Sequence, residues 1–404
     1  MITEKRDLRT GKLIWLARAL PRLKHITRLV PLKPDVVVVG TGVSGALMAD
    51  ALLNAGFTVL AVDRRSPMSG STPASTAFIQ SELDMPLTEL QRKIGKSDAA
   101  RTWLRSAQAV QSLADRIADL NINCDFVART TLYLPGNILD VSDLKVEARE
   151  RAKIGFRSNF IGKSEIQAFS GLSQAGAIYT QGNGELDPVK LVAGLWRSFI
   201  KRGGTMVSNC EINEIDEMRN SLKLTTNDGR TIKCKQAVFC TGYERLTFFK
   251  PKGFKVISTW VLATKPQKKV LWPSKSLIWQ AADPYLYLRT TRDGRIIVGG
   301  EDEPFSDDEK RDAMIGAKVQ AIARKAKRLF PLVDFTPDFQ WSGSFGESPN
   351  GLPAIGLIPR YKRCYTVMGF GGNGITFSIL AAQLVSRHIQ GIADADNELF
   401  KPID

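Results

Sequence analysis

The chain has 404 residues, enough for two or three domains at roughly 100–200 residues each, and its 43% hydrophobic and 24% charged content is ordinary for a globular protein. Two histidines (His25, His388) and five cysteines without a C-x-x-C pair (Cys124, Cys210, Cys234, Cys240, Cys364) exclude His-rich metal sites, zinc ribbons and a disulfide framework, and leave a His-dependent hydrolase little to work with. The basic excess, 56 Lys and Arg against 41 Asp and Glu, is partly segmental: Lys5, Arg6, Arg9, Lys12, Arg18, Arg22, Lys24, Arg28 and Lys33 fall in residues 1–34 beside only Glu4 and Asp7.

An unpaired cysteine set suits a reducing compartment. The N-terminus lacks an apolar signal core with a small-residue cleavage site, and the apolar stretch Val36 to Val62 is interrupted by Asp50, Asn54 and glycines, so a cytoplasmic protein is expected. No aromatic-interleaved basic patch or helix-turn-helix pattern accompanies the charge, so no nucleic-acid partner is expected.

In chain order, residues 1–34 form a basic arm. Ile14, Trp15, Leu16, Leu20, Leu23, Ile26, Leu29 and Val30 are spaced among its charges, and Pro21, Pro31 and Pro34 break any long helix. Such a stretch can lie on an anionic membrane surface; a strap packed on the chain's own domain is the leading expectation.

After Pro34, Asp35 and the run Val36–Val39 read as a strand buried on both faces of a parallel sheet. Gly40-Thr41-Gly42-Val43-Ser44-Gly45 follows, then a helical face of Ala46, Leu47, Ala49, Leu52 and Leu53 ended by Gly56. A second strand, Phe57 to Val62, closes on Asp63. This strand–turn–helix–strand unit binds dinucleotides: Gly40 for the tight turn, Gly42 for backbone approach to the pyrophosphate, Gly45 for helix–strand packing. The helix N-terminus meets the phosphates, and Asp63 meets a ribose diol. Arg64 and Arg65 keep an NADP 2′-phosphate open. The loop Ser69 to Thr76 offers hydroxyls and backbone donors to a phosphate and a flat ring.

Ser97 to Leu120 has helical periodicity without visible chemistry. Asp187-Pro188 starts a helix, with Asp187 as N-cap and Pro188 in the first helical position. Cys210 to Phe239 reads as short strands with a turn at Asn227-Asp228-Gly229. Tyr365 to Phe370 is a strand, Gly371-Gly372-Asn373-Gly374 a turn, and Ile375 to Gln390 a helix whose N-terminus is a second anion-stabilising pole. His388 falls in that helix's last turn, and neither histidine is a promising base.

The first glycine turn, the acid-ended second strand, Gly70-Ser71-Thr72-Pro73-Ala74-Ser75, Ala237 to Gly242, Pro284 to Arg289, Gly299-Gly300-Glu301-Asp302 and the late Gly371–Gly374 turn occur in an order that resembles the FAD-dependent D-amino-acid oxidase superfamily. Glycine oxidase, sarcosine oxidase and γ-glutamylputrescine oxidase are among its members. The resemblance runs from about Asp35 to Gly391. It implies an α/β (α+β) fold, with a Rossmann-like FAD-binding domain from residues 35–82, 185–245 and 340–404. Residues 83–184 and 246–339 would form a substrate domain of mixed or antiparallel sheet plus helices.

The resemblance further implies cofactor contacts from Gly40, Gly42, Val43, Ser44, Gly45, Asp63, Arg64, Ser71, Thr72, Ala74, Ser75, Thr76, Cys240, Thr241, Gly242, Gly371, Gly372, Asn373, Gly374, Ile375 and Thr376. The reaction expected is hydride transfer from the carbon bearing an amine to flavin N5, with later hydrolysis of the imine and with oxygen or quinone as electron acceptor. Members resembling glycine oxidase clamp a substrate carboxylate with an Arg in the strand before the Pro-x-Ile-Gly segment. Here that position holds Phe345, which turns the expectation toward amine-type members. Arg289 is the substitute carboxylate clamp, and Tyr285, Tyr287, Trp341 and Glu347 are further pocket candidates. No cysteine lies between Trp341 and Gly356, so non-covalent FAD is expected. The alternatives are an NAD(P)-dependent dehydrogenase using Arg64 and Arg65, and a non-catalytic flavoprotein subunit of an assembly.

Overall fold

The four consecutive valines form the strand Val36–Val39, almost wholly buried because it lies in the middle of a parallel sheet. A computed structural model describes residues 2–20, 22–27 and 32–403. Within them, a six-stranded sheet runs in the order Ala354–Leu357, Cys364–Met368, Gln236–Phe239, Val36–Val39, Val59–Val62, Thr205–Val207. All neighbours pair in parallel except the edge strand Ala354–Leu357. The helices Val43–Asn54 and Gly374–Ile389 pack together on this sheet, and Ser44 Oγ and Ser378 Oγ, 2.7 Å apart, join them. A meander of Ile212–Glu217, Leu222–Thr226 and Thr231–Cys234 turns at the expected Asn227-Asp228-Gly229.

The second layer is a ten-stranded, mostly antiparallel sheet. Its centre is the series Pro337–Glu347, Lys255–Thr264, Ile296–Glu303, Leu286–Thr290, Leu277–Gln280 and Val127–Leu134. The helix Ile315–Leu329 covers one part of it with Val319, Ile322 and Ala326. The strand Pro337–Glu347 pairs inside this sheet, although the sequence division assigns residues from 340 onward to the dinucleotide segments; strand partners are chosen over long range, and local pattern does not reveal them.

The arm is a strap. Strand Arg9–Lys12 pairs antiparallel with Gln340 to Gly343, and Ile2 accepts from the Thr247 N–H at 2.9 Å. Trp15 is buried and donates through Nε1 to the Ser75 carbonyl at 2.7 Å. Pro21, Arg28, Leu29, Val30 and Pro31 lie outside the described residues. No helix among those described is long and apolar enough to cross a membrane.

Candidate active site

The carboxyl ends of the three strands Val36–Val39, Val59–Val62 and Gln236–Phe239 open onto one cleft, the place where parallel sheets of this kind receive ligands. Both glycine turns face it: Gly40, Gly42, Val43 and Ser44 at one side, Gly371, Gly372, Gly374 and Ile375 at the other. Neither N-cap residue, Gly42 or Asn373, caps its helix with its side chain, and at the first helix the Val43 N–H donates to the Thr72 hydroxyl at 3.1 Å; both helix N-termini face the cavity. Gly40 has φ 111°, and a Cβ there would meet the Cys240 carbonyl oxygen at 2.3 Å; glycine alone lets these strand ends close up.

Of the sequence candidates, Asp63, Arg64, Ser71, Thr72, Ala74, Ser75, Thr76, Cys240, Thr241 and Gly242 also line the cleft. Three do not. Gly45 faces the strand, where a Cβ would sit 1.8 Å from the Gly40 carbonyl oxygen. Asn373 donates to the Glu82 carbonyl at 2.7 Å and Thr376 to the Gln80 carbonyl at 3.0 Å, so both fasten the late turn from behind. Asp63 accepts from the Thr41 N–H, the Thr41 hydroxyl and the Arg65 N–H. Arg64 and Arg65 both pair with Glu244, and Arg64 also approaches Glu211 at 3.7 Å. Their charge is spent inside the protein, which weakens the reading that they hold an NADP 2′-phosphate.

Beyond the late turn the cleft becomes an aromatic chamber. Tyr285 and Tyr287 alternate on one strand face, with ring centroids 5.6 Å apart and planes inclined by 29°. Trp279, Phe78, Tyr243, Phe345 and Phe370 complete the walls. Glu347, a pocket candidate, is exposed and lies outside the cleft lining, and repulsion from Asp84 and Asp283 adds to desolvation in raising its carboxyl.

Two pocket candidates are corrected. Arg289 is buried away from the cleft, donating to the Leu186 carbonyl at 3.0 Å, approaching Glu185 at 3.8 Å and lying 5.3 Å above the Trp15 ring. It shares the tyrosines' strand face, but the strand runs past the chamber, and alternation specifies a face without specifying what lies opposite. Trp341 is fully buried and donates through Nε1 to the Ala74 carbonyl at 2.9 Å, a packing role. His25 bonds the Leu23 carbonyl and His388 the Tyr365 hydroxyl, both outside the cleft.

The sequence reading missed Asp84, Thr259, Trp279 and Tyr243 as site residues, and also Ile2, Thr3 and Leu8, which the strap adds to the cleft wall and which carry no sequence signal. Asp302, the last residue of the Gly299–Asp302 motif, is outside the lining, with both carboxylate oxygens buried beside Thr259 and Tyr285. Burial raises the Asp302 carboxyl to about 7, with the Thr259 and Tyr285 hydroxyls lowering it and Glu347 and Asp84 raising it. A carboxyl raised in this way keeps its proton in the native state while the unfolded chain, at about 3.9, has lost it. Stability therefore falls as pH rises from about 4 to about 7. Asp302→Asn is expected to flatten that slope in thermal melts between pH 5 and pH 8; an unchanged slope would refute the assignment.

Buried polar atoms without a hydrogen bond occur at both ends of the cleft: Gln80 Oε1 near the late turn, and near Asp63 the loosely paired Arg64 Nη1 and Glu211 Oε1, 3.7 Å apart. Together with the glycine cradle, they fit a long, polar dinucleotide.

The model of the family described as FAD dependent oxidoreductase (DAO) matches residues 35–388. Gamma-glutamylputrescine oxidoreductase of Escherichia coli K12 is 21% identical over 381 residues, covering 89% of this chain and 84% of that protein. Glycine oxidase of Geobacillus kaustophilus is 23% identical over 361 residues, covering 87% and 92%. The crystal structure of glycine oxidase from that organism superposes with a TM-score of 0.77 at 21% identity, covering 92% of this chain and 99% of its own. With both glycine turns on one cleft and the family model spanning nearly the whole chain after the strap, this protein belongs to the DAO family of FAD-dependent oxidoreductases.

Proposed function

We propose that this enzyme oxidises the carbon–nitrogen bond of a small amine, with amino acids as the second substrate class. The observation that carries the reading is the one cleft that joins two glycine-lined helix N-termini to an aromatic chamber. In this reading Gly42, Val43 and Ser44, with Ser71 and Thr72, hold the pyrophosphate. Asp63 takes the ribose diol, and Gly371 to Ile375 face the flavin's pyrimidine edge. When bound, the flavin supplies a two-electron acceptor for the hydride that leaves the carbon bearing nitrogen. The substrate also loses an N–H proton, and water then hydrolyses the imine to a carbonyl compound and a free amine or ammonia.

The protein's part is alignment and exclusion of water. Tyr285, Tyr287 and Phe345 confine the substrate, and the strap closes the cleft with Ile2, Thr3 and Leu8. Amines are preferred because the basic residues among those described in the cleft wall are Arg64 and Arg65, at the far end and paired. Nothing there clamps an α-carboxylate. Residues 35–82, 185–245 and 340–404 are proposed as the cofactor part and 83–184 with 246–339 as the substrate part, adjusted for the strand Pro337–Glu347.

An anaerobic screen of amines and amino acids tests the reading. Loss of the visible flavin band with at least one amine supports it, and a colour unmoved by every amine and amino acid overturns it. Recovery of the band in air marks oxygen as acceptor; recovery only with an added quinone marks a dehydrogenase.

The flavin is expected to be held without a covalent bond. Cys240 lines the cleft, but burial pushes its thiol far up and leaves it a poor nucleophile. Acid precipitation should leave a yellow supernatant over a colourless pellet, and a yellow pellet would contradict this.

A further inference from the structure

The strap precedes the segment matched by the DAO family model, yet it supplies part of the cleft wall. Ile2 and Thr3 are buried there. Ile2 packs in one apolar cluster with Cys210 and Ile212, and the Cys210 N–H donates to the Asp63 carbonyl at 2.9 Å. This is the Asp63 end of the cleft, where the proposed placement of the cofactor puts the ribose of its AMP half. Leu8 lines the cleft as well, and its carbonyl accepts from the Ser344 N–H at 3.1 Å.

Residues 2–8 are fastened to both layers. On the parallel-sheet side the Glu4 N–H donates to the Arg245 carbonyl at 2.9 Å, and the Glu4 carboxylate receives the Arg245 guanidinium through two bonds of 3.0 Å. Lys5 Nζ lies 3.2 Å from Glu211, and the Arg6 N–H donates at 3.3 Å to Glu244, the carboxylate that pairs with Arg64 and Arg65. On the side of the ten-stranded sheet, Arg6 donates to the Ser306 carbonyl at 2.9 Å, and the Asp7 carbonyl accepts from Arg311 at 2.7 Å. A segment tied to both walls spans the cleft between them. The residues that follow are pinned harder: Arg9–Lys12 pairs along the sheet edge, Arg9 Nε donates to the Gly70 carbonyl at 2.9 Å, and Trp15 is buried. Partly exposed ion pairs hold weakly, so residues 2–8 are the part that opens locally while the core stays folded.

The cofactor placement above is the basis here, and the identity of the substrate is not. We infer that residues 2–8 are a latch over the AMP half of the cofactor: Ile2 and Thr3 pack on the adenosine, and FAD enters and leaves only while this segment is lifted. The strap residues 9–16 are its anchor. FMN lacks the AMP half and ends short of the latch.

A crosslink tests this. Thr3 and Leu246 oppose each other as an antiparallel pair, with the bonds from Glu4 to Arg245 and from Thr247 to Ile2 on either side of them. Such non-hydrogen-bonded pairs hold their Cα atoms about 4.5 Å apart, within disulfide reach. Thr3→Cys combined with Leu246→Cys should therefore lock the latch on oxidation, with peptide mapping to confirm the bridge, and the reduced form serves as its own control. Flavin fluorescence follows both loading of the apoprotein and release on dilution. The oxidised form should exchange FAD about tenfold or more slowly than the same protein reduced. Deletion of residues 2–8 should speed FAD release by about tenfold or more and leave the affinity for FMN within about twofold. The crosslink decides the matter if the shortened chain does not fold. Equal exchange by the oxidised and reduced forms, or a deletion that weakens FAD and FMN alike, overturns the inference while the cofactor placement stands. If the unaltered chain takes up no FAD at all, that placement fails and the latch with it.

Discussion

Gly45→Val should yield a protein that purifies without flavin colour and cannot be reconstituted by added FAD. A Cβ at this position would lie 1.8 Å from the Gly40 carbonyl oxygen and 2.8 Å from the Gly40 carbonyl carbon. These are backbone atoms, so no side chain can swing aside. The helix Val43–Asn54 must move off the strand Val36–Val39, and the glycine turn between them opens. Overpacking in a close-packed interior costs about 1–3 kcal/mol even where side chains can adjust, and this contact should exceed that. The effect spreads, because Ser44 is bonded to Ser378 on the helix behind the late turn. Flavin absorbance, affinity for added FAD and a circular dichroism spectrum check the outcome. A variant that retains bound FAD at wild-type affinity would remove the helix entrance from the cofactor site.

Arg151→Met is the second large effect, on stability. Arg151 is wholly buried on the helix Val141–Lys153, with Nε 2.7 Å from Glu147 Oε1 and Nη1 3.3 Å from Glu82 Oε1. Its guanidinium also lies 4.5 Å above the Trp103 ring and 5.5 Å from that of Tyr133. Glu82 accepts in addition from Thr131 at 2.6 Å and Thr180 at 2.8 Å. Methionine fills most of the volume but leaves two buried carboxylates facing each other without a cation. Removing one partner of a buried pair costs about 3–5 kcal/mol. Denaturant unfolding should show that loss, and Glu82→Gln in the same background should recover part of it because the unpaired charge is gone. A loss under about 1 kcal/mol would show that the network contributes little beyond packing.

The network also bears on the site. The Glu82 carbonyl receives the Asn373 side chain, and the Gln80 carbonyl receives Thr376. The segment that carries Glu82 therefore braces the late glycine turn. Arg151→Met should weaken FAD retention as well as stability, although Arg151 is far from the cleft wall in sequence and chemistry.

Strong local periodicity made much of the fold legible. The valine run, the first glycine turn, the Asp187 cap with its bonds to Val189 and Lys190, the hairpin at Gly229 and the late glycine turn are each marked by residue types within a few positions of one another. Their signals survive in any tertiary setting. The strap is different. Gly11 opposes Trp341 across more than three hundred residues, and nothing in the arm's composition specified that partner. Arg289 shows the same limit at the level of one side chain. Its strand face was readable, yet whether that face met a substrate or Glu185 depended on a segment a hundred residues away.

By itself, then, the sequence determined the cofactor-binding frame, because a dinucleotide is held by backbone geometry at two turns, and backbone geometry there follows from glycine placement and helix starts. The tertiary structure alone decided what lines the aromatic chamber. Trp279, Tyr287 and Phe345 lie on three strands that only the ten-stranded sheet brings together. Strand partners are chosen by proximity in space, and spacing along the chain carries no record of it.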